Sequence, residues 1–341
     1  MSRSTASRAL AGYGVVSKDA ARRVLAAATE VGYHANGVAR SMKTGRTNTL
    51  GAVVADIENA FFARVMRGFT DTARSEGFQV ILANTDEDLA TEQSAVRVFQ
   101  ERRVDGMVVT PACLDRSDHL RAAHEAGVPL VLLDRRVPGL ATDVVHIDNV
   151  AAARETTGKL LEAGHRKIAM VSGITAAESD AGPDELPTGI STTHDRLEGY
   201  RQALAGAGVA YRQDYVCTAD FHLAAARRAT EQLLRLPDRP TAVFATDSTN
   251  ALGVLLAMRD AGLRAPDDLS VVAFDDADWT DLVEPGLSVM AQPVYEMGQL
   301  AASRLVARVT GGPLPAEDHV LDTQWLPRAS IGRPPGSTAR D

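Results

Sequence analysis

Residues 50–83, LGAVVADIENAFFARVMRGFTDTARSEGFQVILA, read as one repeat of a parallel α/β sheet. Residues 50–54 are wholly apolar but for a glycine, the composition of a strand covered on both faces. In 61–76, Phe62, Val65, Met66, Phe69 and Ala73 recur at the three- and four-residue spacing that lines one side of a helix. Gly77 stands where a helix ends in a left-handed residue, and 79–83 supplies the next strand. Strand, helix and strand in this order make a crossover unit whose two strands run parallel.

Toward the C-terminus the rhythm continues. Short runs rich in Val, Ile, Leu and Met recur at 106–110, 130–133, 168–171, 242–245 and 270–274, and helical segments end at Gly127, Gly164, Gly208 and Gly262. The pattern predicts an α/β protein with doubly wound parallel sheets, and the roughly 280 residues available suffice for two of them. Residues 173–193, GITAAESDAGPDELPTGISTT, interrupt the rhythm and read as a long loop, either a lid over a ligand or an inert surface insertion. A disordered tail is expected over 331–341.

Toward the N-terminus the charge changes sign. Residues 1–48 hold eight Lys or Arg against two acids, whereas the whole chain of 341 residues carries −8, so a small basic head precedes a large acidic body. That asymmetry suits a head that meets a polyanion, although a solvated basic tail has the same charge. At 45% apolar and 23% charged residues, with two cysteines, the chain is neither collagen-like, disordered nor disulfide-rich. No apolar run reaches the ~18 residues of a membrane span, and MSRSTASRAL lacks the apolar core of an export signal, so a cytoplasmic protein is expected. Cys113 and Cys217 are far apart with no CxxC or histidine cluster nearby, so neither a metal nor a cofactor is expected.

Within the head, 4–10 is a short helical pattern and Gly12, Tyr13 and Gly14 form a turn. Ser17 is an N-cap for 18–31, where Ala21, Val24, Leu25, Ala28 and Val31 make an apolar stripe. The third pattern, 37–42, is too short to persist alone in water.

The string from Ser2 to Gly68, beginning SRSTASRALAGYG and running through NGVARSM, resembles the LacI/GalR family of bacterial transcription regulators. The resemblance continues through NTDED (84–88), RRVDGMVV (102–109), DRLEGYRQAL (195–204), RPTAVFATD (239–247), VVAFDD (271–276) and WLPRAS (325–330). It covers nearly the whole chain, and the order and spacing of the strings make it specific. What it implies is an effector-responsive DNA-binding regulator, a repressor in the usual case, with a periplasmic-binding-protein-like body of two subdomains joined by three crossovers. The implied division is 1–35 for a partial helix-turn-helix domain, 36–48 for a hinge helix and linker, and 49–330 for the effector-binding and dimerisation body. In that body one subdomain takes 49–148 plus 280–310 and the other 149–279 plus 311–330.

The resemblance also assigns residues. It implies that 4–10 is the recognition helix, with Arg3, Ser4 and Arg8 at base edges and Ser2, Thr5 and Ser7 near phosphates, chemistry that suits a guanidinium and short hydroxyls. Asn36, Ala39, Met42 and Lys43 fall in the implied hinge helix, where Met42 stands in place of the family's usual leucine wedge in the minor groove. Effector contacts carry over to Phe61, Phe62, Asp134, Arg135, Thr192, Arg196, Phe221, Asp247 and Asp275. Arg196 can fork onto vicinal hydroxyls, Asp275 can accept from two others, and Phe221 matches a ligand-stacking position. Phe62 could equally be core, and Asp247 could merely cap the following helix. The partners implied are near-palindromic double-stranded DNA, a sugar-like effector and a second copy of the chain.

One departure concerns the N-terminus. The family pattern places another helix before the recognition helix, and Met1 stands where valine is common, which suggests either a start assigned too late or a genuine truncation. If the truncation is genuine, the alternative function is an effector sensor that does not bind DNA. A transport-type binding protein would need an export signal and have no use for the head. No GxSxG, P-loop or HExxH string supports an enzyme.

Overall fold

The computed structural model describes residues 2, 5, 6, 8, 9, 16–30, 45–173, 189–219, 222–312 and 314–336. In the head, α1 spans Lys18–Glu30, and the Ser17 hydroxyl accepts from the Ala20 amide at 3.3 Å, the expected cap. The expected third helix lies outside the described residues.

The body begins with β1 (Thr49–Val54), α2 (Ala60–Ser75), β2 (Gln79–Asn84), α3 (Leu89–Glu101), β3 (Gly106–Val109), α4 (Asp118–Glu125), β4 (Leu130–Leu133) and β5 (Asp143–Ile147). It continues with α5 (Asn149–Glu162), β6 (Ile168–Gly173), α6 (Ser191–Gly206), β7 (Val216–Ala219), α7 (Leu223–Leu234), β8 (Ala242–Ala245), α8 (Ser248–Asp260) and β9 (Ser270–Phe274). After β10 (Ser288–Ala291) come α9 (Val294–Gly311), β11 (Asp318–Leu321) and β12 (Gln324–Leu326).

Two six-stranded sheets result, ordered β11-β5-β4-β3-β1-β2 and β12-β10-β9-β8-β6-β7. Among the described residues every pairing is parallel except β10 with β12, an antiparallel edge. The continuous apolar runs arise because both faces of each sheet are covered. On β1, Leu50, Ala52 and Val54 join Phe69 and Leu305 of α2 and α9, while Val53 points the other way to Val96 and Phe99 of α3. On β6, Ile168 and Met170 meet Leu197 and Tyr200, and Ala169 and Val171 meet Ala226 and Val254.

The pairings correct the implied boundaries near the C-terminus. The family division gives 280–310 to the first subdomain, yet β10 lies in the second sheet, with Met290 in register with Phe274. It gives 311–330 to the second, yet β11 pairs with β5 in the first. A buried carboxylate explains the placement of β11: Asp143 accepts from Arg308 Nε at 2.9 Å, Arg304 Nε at 3.1 Å and the Glu317 amide at 2.9 Å, fixing α9 and the entry to β11 against β5. Burial pushes this carboxyl up, but the hydrogen bonds from Arg308 and Arg304 prevail and hold it at about 2. Among the described residues the chain therefore crosses between lobes after β5, after β10 and after β11.

Residues 331–336, expected in the disordered tail, are held instead. The Gly332 amide donates to Ser270 Oγ at 3.0 Å, and the buried His165 ring lies 3.0 Å from the Gly332 carbonyl. At the neck, the Asp105 carboxylate accepts from the amides of Thr47 and Asn48 at 2.8 and 2.7 Å, and Arg46 Nη2 donates to the Val309 carbonyl in the last turn of α9 at 2.9 Å. No helix among the described residues is long and apolar enough to cross a membrane.

Candidate ligand-binding cleft

The carboxyl ends of the strands of both sheets border one narrow cavity. This is the position at which open α/β sheets bind ligands. Asp56 follows β1, Glu87 follows β2 and Asp134 follows β4; opposite them Asp247 follows β8, Asp275 follows β9 and Gln292 follows β10.

Asp134 and Asp275 occupy equivalent places in the two sheets, because β4 and β9 hold the same position in the strand order. Each has a left-handed backbone, φ 66° and 71°, and each donates its amide to the neighbouring strand, to Val145 O at 2.8 Å and Met290 O at 3.0 Å. That conformation turns the chain sharply off the strand end, at an energetic cost that a binding site can bear. Burial raises the pKa of Asp134 and pushes Asp275 up to about 6. Gln292 Nε2 donates to Asp275 Oδ1 at 2.7 Å, leaving Gln292 Oε1 buried and without a partner among the described residues, as is Asp134 Oδ1.

Arg196, on α6, is buried with its guanidinium 4.2 Å from the Phe274 ring centroid. Its Nε donates to Asn149 Oδ1 at 2.8 Å and its Nη1 to the Thr246 carbonyl at 2.5 Å, so the plane is fixed while Nη2 has no partner among the described residues. Arg135 is differently committed: Nη1 and Nη2 grip Glu87 at 2.5 and 2.6 Å, and Nη1 also reaches the Pro111 carbonyl at 3.0 Å. Arg135 therefore shapes the wall through Glu87, whereas Arg196 keeps a donor for a ligand.

Phe61 and Phe62 open α2, which Asn59 caps by accepting from the Phe61 amide at 2.9 Å. Both rings are buried, edge to face at 4.9 Å, and both border the cavity, so core and site are the same place here. Asp247 borders the cavity and also caps α8 through the Asn250 amide at 2.7 Å, and burial raises its pKa.

Of the loop expected over 173–193, residues 174–188 lie outside the described residues, and both ends belong to regular elements. Gly173 belongs to β6 and α6 already begins at Ser191, tied back by Thr193 Oγ1 to the Gly173 carbonyl at 3.0 Å, which brings Thr192 and Thr193 to the cavity. Phe221 lies outside the described residues. So do Arg3, Ser4, Ser7, Asn36, Ala39, Met42 and Lys43. Of the residues expected at nucleic acid, Ser2 Oγ accepts from the Thr5 amide at 3.2 Å, and Thr5 and Arg8 are helical with Arg8 exposed.

Sequence reading misses Asp56, Glu87, Ser172, Thr246 and Gln292. Their common signal is position: each ends or follows a strand, and Gln292 is hidden because the residues of β10 do not read as one.

Comparison with known proteins agrees with this geometry. Residues 157–331 match the family described as a periplasmic binding protein-like domain. The chain is 33% identical over 330 residues to the transcriptional repressor CytR of Escherichia coli strain K12, covering 97% of this chain and 93% of that one. Among solved structures, the transcriptional regulator CelR in complex with cellobiose is 31% identical with a TM-score of 0.73, covering 97% of this chain and 96% of its own. A LacI family transcriptional regulator from Enterococcus faecium with bound ribose is 27% identical with a TM-score of 0.70, over 83% of this chain and 98% of that one.

Proposed function

This chain belongs to the LacI/GalR family of transcriptional regulators, and from that premise we infer an effector-responsive repressor whose interlobe cleft takes a sugar or similar polyhydroxylated molecule while its basic head reads operator DNA. The observation that carries the ligand class is the convergence of Arg196, with a fixed plane and one uncommitted nitrogen, on buried aspartates from both lobes. A fork of donors facing carboxylate acceptors, walled by Phe61 and Phe62, complements vicinal hydroxyls on a ring with an apolar face.

The working assembly is a homodimer, because helix-turn-helix heads address near-palindromic half-sites through a shared two-fold axis. Ile57, Ile81 and Leu82, apolar and exposed on and beside the edge strand β2, offer a surface for that pairing. Ser2, Arg3, Ser4, Thr5, Ser7 and Arg8 would meet the major groove and Asn36, Ala39, Met42 and Lys43 the minor groove. The role is binding in the cytoplasm, with no catalytic step. Effector acts through its difference in affinity between two lobe arrangements, which alter the approach of the two necks.

Arg196→Ala is expected to weaken effector binding by at least about 100-fold, since a charge-assisted donor pair is lost. Calorimetry against a panel of sugars tests it, with circular dichroism reporting the fold. Unchanged affinity for a sugar that the native protein binds would sink the assignment.

A further inference from the structure

We propose that the cleft selects uncharged or cationic ligands rich in hydrogen-bond donors and rejects phosphorylated and other anionic ones. This rests on the polyol reading of the same site and narrows it. The wall carries five carboxylates, Asp56, Glu87, Asp134, Asp247 and Asp275, against two guanidiniums. Arg135 and Glu87 neutralise each other, because Arg135 holds Glu87 through both terminal nitrogens and Pro111 O through one of them, which leaves four carboxylates against one guanidinium. That guanidinium, Arg196, has only Nη2 uncommitted among the described residues.

The unpartnered groups point the same way. Asp134 Oδ1 and Gln292 Oε1 are buried acceptors without a donor among the described residues, one from each side of the cleft. A hydroxyl or ammonium group satisfies them. The phosphate group of an ester, nearly doubly charged and itself without donors near neutral pH, does not, and it would enter a field of like charge.

The helix ends around the cavity offset this only in part. At α2 the Phe61 amide is taken by Asn59, and at α8 the Asn250 amide is taken by Asp247. The first turn of α6, at Thr192 and Thr193, has no side-chain cap. Of these three helix starts it is the one at which no side chain takes an amide, and so the one most open to an anion.

The test is calorimetric titration of the full chain with a panel of monosaccharides, disaccharides and nucleosides, each paired with its phosphate ester, and with inorganic phosphate as a competitor. For any pair that binds, the neutral member is expected to bind about 100-fold tighter or more. Asp134→Asn should shrink that ratio about tenfold by removing one charge; Asp56→Asn, at the more accessible end of the wall, should shrink it in the same direction if the first variant folds poorly. An ester that binds within about threefold of its neutral partner, or competition by inorganic phosphate, would mean that the α6 turn outweighs the carboxylates and would overturn the proposal. In that case Arg196→Ala still abolishing both affinities would leave the polyol reading standing. Binding by no member of the panel would overturn the polyol reading and this inference together.

Discussion

Asp275 shows how far a single carboxyl can report on the cleft. Its burial pushes the pKa to about 6, against 3.8 in the unfolded chain, so between those values the folded state holds a proton that the unfolded state releases. The group therefore costs folding stability above pH 6, and the cost is relieved as pH falls toward 3.8. Ligand binding runs in the opposite sense, because a hydroxyl donates better to a carboxylate than to a neutral acid. Effector affinity is expected to be flat above neutral pH and to fall by up to about tenfold per unit below pH 6. Calorimetry across pH checks this, and Asp275→Asn should flatten the profile. Asp275, just after the apolar run ending in AFDD, is reachable from the sequence through the family resemblance and its place at a strand end. Its partner Gln292 is not, since SVMA ahead of it is too short and too mixed to announce a strand. Glu87 in NTDED reads as turn chemistry, and only the grip of Arg135 gives it a place in the wall.

Helices are most legible where one face is apolar and the ends are capped. The stripe on α2 tells which side it buries, but it cannot tell what lies there, because α9 arrives more than two hundred residues later. Two glycines let these helices touch backbone to backbone: a Cβ on Gly298 would sit 1.9 Å from the Val65 carbonyl oxygen, and one on Gly68 would sit 2.1 Å from that of Tyr295. Gly298→Ala is expected to destabilise the body by about 1–3 kcal/mol, because neither backbone can yield without moving its helix. Gly158→Ala in α5, where a Cβ meets nothing within 4 Å, should instead add about 0.5–1 kcal/mol. Denaturant unfolding of the two variants separates steric overlap from helix propensity; equal effects would refute the crossing as the cause. The terminal strands β10, β11 and β12 escape sequence reading for a complementary reason. They are three or four residues long, and their lobe is decided by partners such as Phe274 and Asp143, not by their own pattern.

At the scale of the whole chain the two lobes are drawn together at the cleft mouth. The Leu114 amide donates to Gly189 O at 2.7 Å, the Arg136 amide to Ser191 Oγ at 3.0 Å, and the Arg136 guanidinium pairs with Asp195. These contacts join the two lobes without belonging to the ligand's own wall. Asp195→Ala should weaken effector affinity about two- to fivefold, the worth of one partly exposed ion pair, and leave the unfolding midpoint nearly unchanged. A loss as large as that for Arg196→Ala would place Asp195 on the ligand instead. A further consequence lies in α9. The helix starts two residues beyond Gln292, whose side chain holds Asp275, and its last turn takes the hydrogen bond from Arg46 at the neck. Its eighteen residues make a shaft roughly 27 Å long. Clamped to α2 at the glycine crossing, the shaft cannot bend independently of its lobe, so a swivel of about 5° at the cleft end carries the neck sideways by about 2 Å. A tilt of that size, set by a few tenths of an ångström at the cleft end, would amount at the neck to a displacement on the scale that decides whether a side chain reaches the edge of a base pair.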